Sequence, residues 1–232
     1  MFRTLAASAA VLAAMNVALA DSKPVAPFNG KDLSGWKLKG DEKKSKWAAV
    51  AVQVNPDKPN EFAQVPLNPG APAFLTNVKP GSVDLSTEAK YGDITLELEF
   101  MIPKGSNSGI YLMGEYEVQI LDSFGKEKVG PGDLGGLYQA AAPKVNASKK
   151  PGEWQKFVIE FQAPKFEGDK KVANAKFVKV TLNDTVIHEN VEMPKQTPGG
   201  LTGKEAATGP VMFQGDHGPV AFRNIKITPR GK

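Results

Sequence analysis

The chain has 232 residues, no cysteine, and 29 Lys and Arg against 25 Asp and Glu, which gives a net charge of +4. The lysines are scattered apart from two short runs, "DEKKSK" and "GDKK", so the pattern indicates a solvated surface and excludes the concentrated basic patch of a nucleic-acid-binding protein. The lack of cysteine excludes disulfides and a lipid-modified N-terminal cysteine, so stability must come from burial.

The first twenty residues have the pattern of a secretory signal peptide. Arg3 precedes an apolar stretch that ends in the small-residue site Ala18-Leu19-Ala20. The apolar run is short and is broken by Asn16, and no second apolar stretch of about 20 residues follows, which argues against a membrane anchor in the mature form. We predict a signal peptide over 1–20, a single mature domain over 21–232, and a periplasmic or secreted location.

After Asp21, short alternating segments separated by glycine and proline predict an all-β protein. The clearest strand is "DITLELEFMI", 93–102, whose alternate residues are apolar and indicate one core face. Further strands are predicted over 47–54, 109–113, 115–121, 154–163, 176–184, 185–193, 209–214 and 220–229. That number of strands implies two packed sheets.

The segments between these strands predict turns and loops. Asn183-Asp184 indicates a tight hairpin turn, and 79–85 and 163–177 are predicted as loops. The long segment 123–152, with five glycines before Tyr138, has the length of a functional loop. The three tryptophans, Trp36, Trp47 and Trp154, lie in or beside strand-like segments and are predicted to pack in the core.

A polar series follows the predicted strand "EYEVQIL" and continues into a turn. If no bulge intervenes, one face of the strand pair carries Tyr111, Met113, Glu115, Glu117 and Gln119. Asp122 lies at an odd offset from Glu117, and one bulge at Ile120-Leu121 would bring it to the same face. The alternative is a polar sheet face that simply contacts water.

The resulting spacing, E-x-Q-x-x-D, resembles the E-x-D-x-x-E strand of family 16 glycoside hydrolases. Gln119 holds no charge, so it cannot separate two carboxyl pKa values by repulsion. Asp122 is shorter than Glu, which widens a gap that retaining hydrolysis needs at about 5–5.5 Å. An ordinary glucanase is therefore disfavoured.

A second polar cluster lies in "FQGDHGPVAFRN", where Asp216-His217 occupies a glycine-bracketed turn. His217 is a candidate general base, metal ligand or hydrogen-bond donor to a sugar, and the alternative is a solvated turn residue. His188 is predicted to be at the surface or packed on a sheet. Two histidines and no cysteine disfavour a usual zinc site; no cofactor is required, and a divalent cation held by carboxylates and amides stays open.

Four long segments resemble the 3-keto-disaccharide hydrolase domain family: "FNGKDLSGW", "NSGIYLMGEYEVQILDSFG", "GGLYQAAAPKVNASKKPGEWQKFVIEFQAPKF" and "GPVMFQGDHGPVAFRNIKI". The resemblance implies a concanavalin A-like jelly-roll sandwich of two antiparallel sheets, an exported enzyme, and a glycoside substrate oxidised to a ketone at C3. The family's shared polar positions fall on Asn107, Glu117, Gln119, Asp122, Gln214, Asp216 and His217. Family members often carry Arg in the region where this chain has Met113 and Glu115.

A ketone at C3 acidifies the hydrogen on C2, so the bond at C1 can break by β-elimination, after which water adds. We predict Glu117, Asp122 and His217 as catalytic residues, with Glu117 or His217 as base, His217 or a cation as enolate stabiliser, and Asp122 as proton donor. The predicted substrate-binding residues are Asn107, Tyr111, Gln119, Tyr138, Gln214 and Asp216. The alternatives are a non-catalytic carbohydrate-binding module, a glucanase-like hydrolase, or a structural sandwich.

Overall fold

The computed structural model describes residues 23–231, so the predicted signal peptide lies outside the described residues. One short 3₁₀ helix, Glu42–Lys44, accompanies fifteen strands in the described part. The strands are β1 (Trp36–Lys39), β2 (Trp47–Val54), β3 (Phe62–Val65), β4 (Phe74–Asn77), β5 (Asp84–Thr87), β6 (Ile94–Met101), β7 (Asn107–Leu112), β8 (Tyr116–Leu121), β9 (Gln155–Gln162), β10 (Lys165–Glu167), β11 (Lys170–Ala173), β12 (Ala175–Leu182), β13 (Thr185–Met193), β14 (Met212–Phe213) and β15 (Val220–Pro229).

These strands form the predicted all-β jelly-roll sandwich of two antiparallel sheets. The larger sheet has eight strands in the order β13-β12-β9-β6-β15-β4-β2-β3, and the smaller has five in the order β1-β5-β14-β7-β8. A separate two-stranded ribbon pairs β10 with β11. Within residues 23–231 no helix has the length and apolar character needed to cross a membrane.

The core lies between the two sheets and is filled by the alternate residues of each strand. In β6, Ile94, Leu96, Leu98 and Phe100 are all buried, as the alternation of the sequence predicts. Four aromatic rings form a continuous row across the core. The ring centroids of Trp36 and Phe213 are 5.4 Å apart, those of Phe213 and Phe222 4.0 Å, and those of Phe222 and Trp47 6.3 Å. The core positions predicted for the first two tryptophans are confirmed.

The core prediction for Trp154 is wrong. Its ring is only half-buried, on the face of the eight-stranded sheet that points away from the core, and it meets the ring of Phe74 edge-on at 4.9 Å. The guanidinium of Arg223 lies 4.0 Å from the Trp154 ring centroid on that same face. Trp154 lies just before β9, so the alternation of that strand between inward and outward side chains does not determine its direction.

The structure corrects one loop prediction and decides between the two alternatives for His188. The segment 163–177, predicted as a loop, contains the β10–β11 hairpin and the start of β12. Of the two alternatives for His188, packing on a sheet is confirmed: it lies in β13, is 2% exposed, and its Nε2 lies 2.8 Å from the backbone oxygen of Gly135. The predicted turn at Asn183-Asp184 is confirmed, since both residues have positive φ, 49° and 66°, as a tight two-residue hairpin requires.

Candidate active site

The candidate site is built on the face of β7 and β8 that points away from the core. The two strands pair without a bulge, so Tyr111 lies directly opposite Glu117, and Gly109 opposite Gln119. The residues between them, such as Val118 and Ile120, point into the core. Alternation therefore puts an acid, an amide and a phenol side by side outside the hydrophobic interior.

Glu117 is the most perturbed carboxyl group of this face. It is 2% exposed, and burial raises its pKa to about 7, with Asp84 and Asp216 adding to the rise. A hydrogen bond from Tyr111 and the charge of His217 act in the opposite direction. A carboxyl group with a pKa near neutrality is suited to give and take protons under ordinary conditions.

Gly109 makes room for that carboxyl group. A Cβ atom at Gly109 would lie 2.3 Å from Oε1 of Glu117, well inside the closest approach of real atoms. The Glu117 side chain therefore occupies the space that any other residue at position 109 would fill.

Gln119 and Asn107 form a fixed amide pair beside Glu117. The Nε2 group of Gln119 donates to Oδ1 of Asn107 at 3.0 Å. The Oε1 atom of Gln119 is buried and has no hydrogen-bond partner among the described residues. A buried, unsatisfied acceptor is costly, so a ligand hydroxyl that donates to it would relieve that cost.

Asp216 orients His217 at the edge of the site. Nδ1 of His217 lies 2.5 Å from Oδ1 of Asp216, which leaves Nε2 as the ring nitrogen available to a ligand. The turn that carries both residues is fastened by the buried Asn77, whose Nδ2 donates to the oxygens of Gly215 at 2.8 Å and Gly218 at 2.9 Å. The His217 ring is half-exposed but sits on a fixed backbone.

The long segment 123–152 closes the free edge of β8 and brings Tyr138 to the site. Gly135 N–H donates to the oxygen of Gln119 and Gln119 N–H to the oxygen of Gly136, both at 2.9 Å. Tyr138 N–H donates to the oxygen of Glu117 at 3.2 Å. The segment thus runs as an extra edge along β8, and the Tyr138 side chain lines the cavity beside it.

The opposite wall comes from the loop around Pro198 and Gly199. The hydroxyl oxygen of Tyr111 lies 3.3 Å from the oxygen of Pro198, and its single hydrogen is shared between that oxygen and Glu117. Lys39 anchors this loop. Its Nζ lies 3.1 Å from the oxygens of both Gly199 and Gly200 and 3.2 Å from a carboxylate oxygen of Asp84.

These elements enclose a cavity of about 200 Å³, and seven of the nine predicted site residues line it. Its lining is Asn107, Tyr111, Glu117, Gln119, Tyr138, Pro198, Gly199, Gln214 and His217. Asp216 does not line the cavity but contacts Nδ1 of His217. Pro198, Gly199, Lys39 and Asp84 were not predicted; the Pro-Gly-Gly composition at 198–200 indicates a turn but not which strand the turn approaches.

Asp122 is not brought into the cavity, so the structure does not support its predicted role as proton donor. Its carboxylate accepts from the backbone N–H of Gly105 at 2.8 Å and of Phe124 at 3.4 Å. The bulge that would have turned Asp122 toward Glu117 is absent, since the β7–β8 pairing is regular up to Leu121.

Met113 and Glu115, the two departures from the family pattern, lie in the turn after β7 and do not line the cavity. The buried Glu115 carboxylate accepts from the N–H and hydroxyl of Thr202 at 2.8 and 2.7 Å and from the N–H of Gly203 at 3.1 Å. It ties the 199–203 loop to the β7–β8 turn. Over residues 23–231, no group of three or more His, Asp and Glu side chains is placed to hold a metal ion.

The fold and the site define a carbohydrate-active β-sandwich, either an enzyme or a binder, with a polar cleft on the outer face of its smaller sheet. The chain belongs to the 3-keto-alpha-glucoside-1,2-lyase-like domain family, which matches residues 23–228. This confirms the resemblance seen in the sequence.

Two solved structures from Parabacteroides distasonis ATCC 8503, each a provisionally named glycosyl hydrolase, are similar to the chain. One is 27% identical with a TM-score of 0.64, over 90% of this chain and 84% of the other. The second is 19% identical with a TM-score of 0.60, over 88% and 93%, and shows the fold alone. Among curated proteins, none matches the chain.

Proposed function

We propose that the protein cleaves 3-keto-glycosides by elimination across C1 and C2, with Glu117 as the base and His217 as the proton donor. The observation that carries this proposal is the buried Glu117, whose pKa is raised to about 7, in the same cavity as a histidine held by Asp216. The family description, a 3-keto-alpha-glucoside-1,2-lyase-like domain, agrees with elimination across C1 and C2.

The reaction needs one proton removed and one supplied. A Glu117 carboxylate oxygen takes the C2 hydrogen, and the electron pair of the C2–H bond moves toward the C3 ketone as an enolate. The C1–O bond then breaks, a C1–C2 double bond forms, the C3 ketone is restored, and the departing oxygen takes a proton from Nε2 of His217. Water adds its hydroxyl to C1 and a proton to C2, which yields the free 3-keto sugar.

The positions of the two groups support these roles. Glu117 is enclosed on the sheet face, where burial keeps its carboxylate poorly solvated and basic. His217 is half-exposed at the cavity edge, where a departing group has room to leave. The contact of Asp216 with Nδ1 leaves Nε2 to face the departing oxygen, which supports His217 as the acid.

The remaining polar groups suit a hydroxyl-rich ligand. Within residues 23–231 the Tyr138 hydroxyl, the Gln214 side-chain amide and Oε1 of Gln119 have no protein partner, and all three residues line the cavity. The Tyr138 hydroxyl and the free amide of Asn107 are donors for the charge that develops on the C3 oxygen.

The test is to incubate the purified protein with 3-keto-glycosides and their unoxidised parents in deuterated buffer, and to analyse the products by NMR. We expect cleavage of the keto compounds only, with deuterium at C2 of the released sugar. Glu117→Gln should lower turnover by about 10²- to 10⁴-fold, the usual contribution of a general base.

The Glu117→Gln protein incubated with product sugar measures non-enzymatic exchange. Product unlabelled at C2, or equal cleavage of the unoxidised parents, would overturn the elimination mechanism. Tight binding of keto-glycosides without any turnover would identify a binding module instead.

We propose in addition that the protein is exported with loss of residues 1–20, as the Ala18-Leu19-Ala20 site indicates. The mass of the intact protein recovered outside the cytoplasm should correspond to a chain that begins at Asp21. A mass that retains Met1 would refute this.

A further inference from the structure

A second groove adjoins the candidate site and shares His217 with it. It has a volume of about 390 Å³ and is lined by residues 60–62, 78–80, 104–106 and 217–219. Because His217 lines both spaces, a ligand whose reacting bond lies at His217 can extend into this groove.

The groove is cationic, in contrast to the site. Lys79 and Lys104 line it and form no ion pair with any residue in 23–231, whereas its one acidic residue, Glu61, pairs with Lys58 at 3.6 Å. The cavity beyond His217 carries Glu117, and Asp84 and Asp216 act on it electrostatically. The charges are therefore segregated along one cleft, which favours an anionic group in the groove and a neutral sugar in the cavity.

The walls of the groove are fixed by hydrogen bonds from several connections. The Asp122 carboxylate accepts from Gly105 N–H, next to Lys104, and Lys104 N–H donates to the oxygen of Pro59 at 2.8 Å. Gly81 N–H donates to the oxygen of Asp216 at 2.9 Å, which joins the Lys79 connection to the His217 turn. Asp122 thus supports this wall rather than the chemistry.

We infer that this groove binds an anionic group, such as a carboxylate, carried by the departing part of the substrate. The inference rests on the proposed function for its orientation, because His217 protonates the departing oxygen and so sets which part of the ligand enters the groove. Lys79 and Lys104 supply the charge, and together they make the enzyme prefer acidic glycosides over neutral ones of the same shape.

The test compares two substrates of similar shape, 4-carboxyphenyl and 4-carbamoylphenyl 3-keto-glucoside, on three proteins. These are the full chain, Lys79→Met/Lys104→Met, and the control Lys44→Met/Lys128→Met, which removes two exposed lysines that line neither space. We expect the ratio of kcat/KM values, carboxylate over carboxamide, to fall about three- to tenfold in the groove variant only. The same ratio should fall with added salt in the unaltered protein.

Binding of unoxidised 4-carboxyphenyl glucoside, measured by calorimetry, separates this inference from the proposed function. Weaker binding in the groove variant, with no turnover by any protein, would support anion binding in the groove and overturn the proposed function. Turnover with an unchanged carboxylate-to-carboxamide ratio would overturn the groove and leave the function standing. An equal fall in the control variant would show a general charge effect and also overturn the groove.

Discussion

Glu117 links the burial of one side chain to the pH dependence of activity. In its proposed role as base Glu117 must be ionised, and its pKa of about 7 lies within the range of an ordinary assay. We expect the acid limb of the pH profile of kcat/KM on a 3-keto-glycoside to lie near pH 7, because the Glu117 carboxylate is lost below it. A profile that is flat from pH 5 to 8 would show that Glu117 is not the base.

The same group also makes stability depend on pH. Its folded pKa of about 7 is above the ordinary value of 4.5, so the folded state binds the proton more tightly. The contribution is present in full below pH 4.5 and is lost as the pH rises to about 7, by at most about 3 kcal/mol. Urea unfolding from pH 5 to 8 should show Glu117→Gln gaining stability relative to the unaltered protein as the pH rises. A difference independent of pH would contradict this.

At the scale of elements, the loop that covers Tyr111 offers a matched pair of glycines. Gly199 and Gly203 both have positive φ, 81° and 69°, so alanine is strained at either position. A Cβ atom at Gly199 would lie 2.8 Å from the Tyr111 hydroxyl, while at Gly203 nothing lies within 4 Å.

Gly199→Ala should therefore lower activity markedly more than Gly203→Ala, at a similar cost in stability. Initial rates on a 3-keto-glycoside, alongside thermal unfolding of both variants, measure this difference. An equal loss of activity in the two variants would mean that Gly199→Ala acts through backbone strain and not through contact with Tyr111.

The strands also show which parts of the site can be predicted from sequence. Alternation over 109–121 predicts that Tyr111, Glu117 and Gln119 share a face, because a regular strand determines the direction of every side chain. Alternation misplaces Glu115, where the chain has left the strand and Thr202 binds the carboxylate. Asp122 is misplaced by the assumed bulge and not by alternation; Gly105 binds its carboxylate instead. The four-residue strands β1, β3, β4 and β5 are too short to show a period, and the contact of the 198–200 turn with β7 leaves no local signal.

At the scale of the whole molecule, the aromatic rings that cross the core hold the two sheets together. Phe222 of the larger sheet is fully buried against Phe213 of the smaller one. Phe222→Ala should cost about 3–5 kcal/mol of unfolding free energy, because it leaves a cavity between the sheets.

Trp154→Ala is the control, since it removes a large ring from the outer face of the same sheet, where solvent fills the space. We expect it to cost less than about 2 kcal/mol in the same urea titration. If Trp154→Ala lowers the unfolding free energy more than Phe222→Ala does, the main stabilising contact lies on the outer face of the sheet and not between the sheets.

The register of the β7–β8 pair links correct folding to the formation of the candidate site. Because Glu117 and Gln119 alternate with Val118 and Ile120, a slip of one residue would turn both polar side chains into the core and leave valine facing the cleft. Such a chain is both unstable and chemically inert, so an inactive mispaired form has no basis for persisting. Folded protein recovered after refolding is therefore expected to carry the cleft in its correct register.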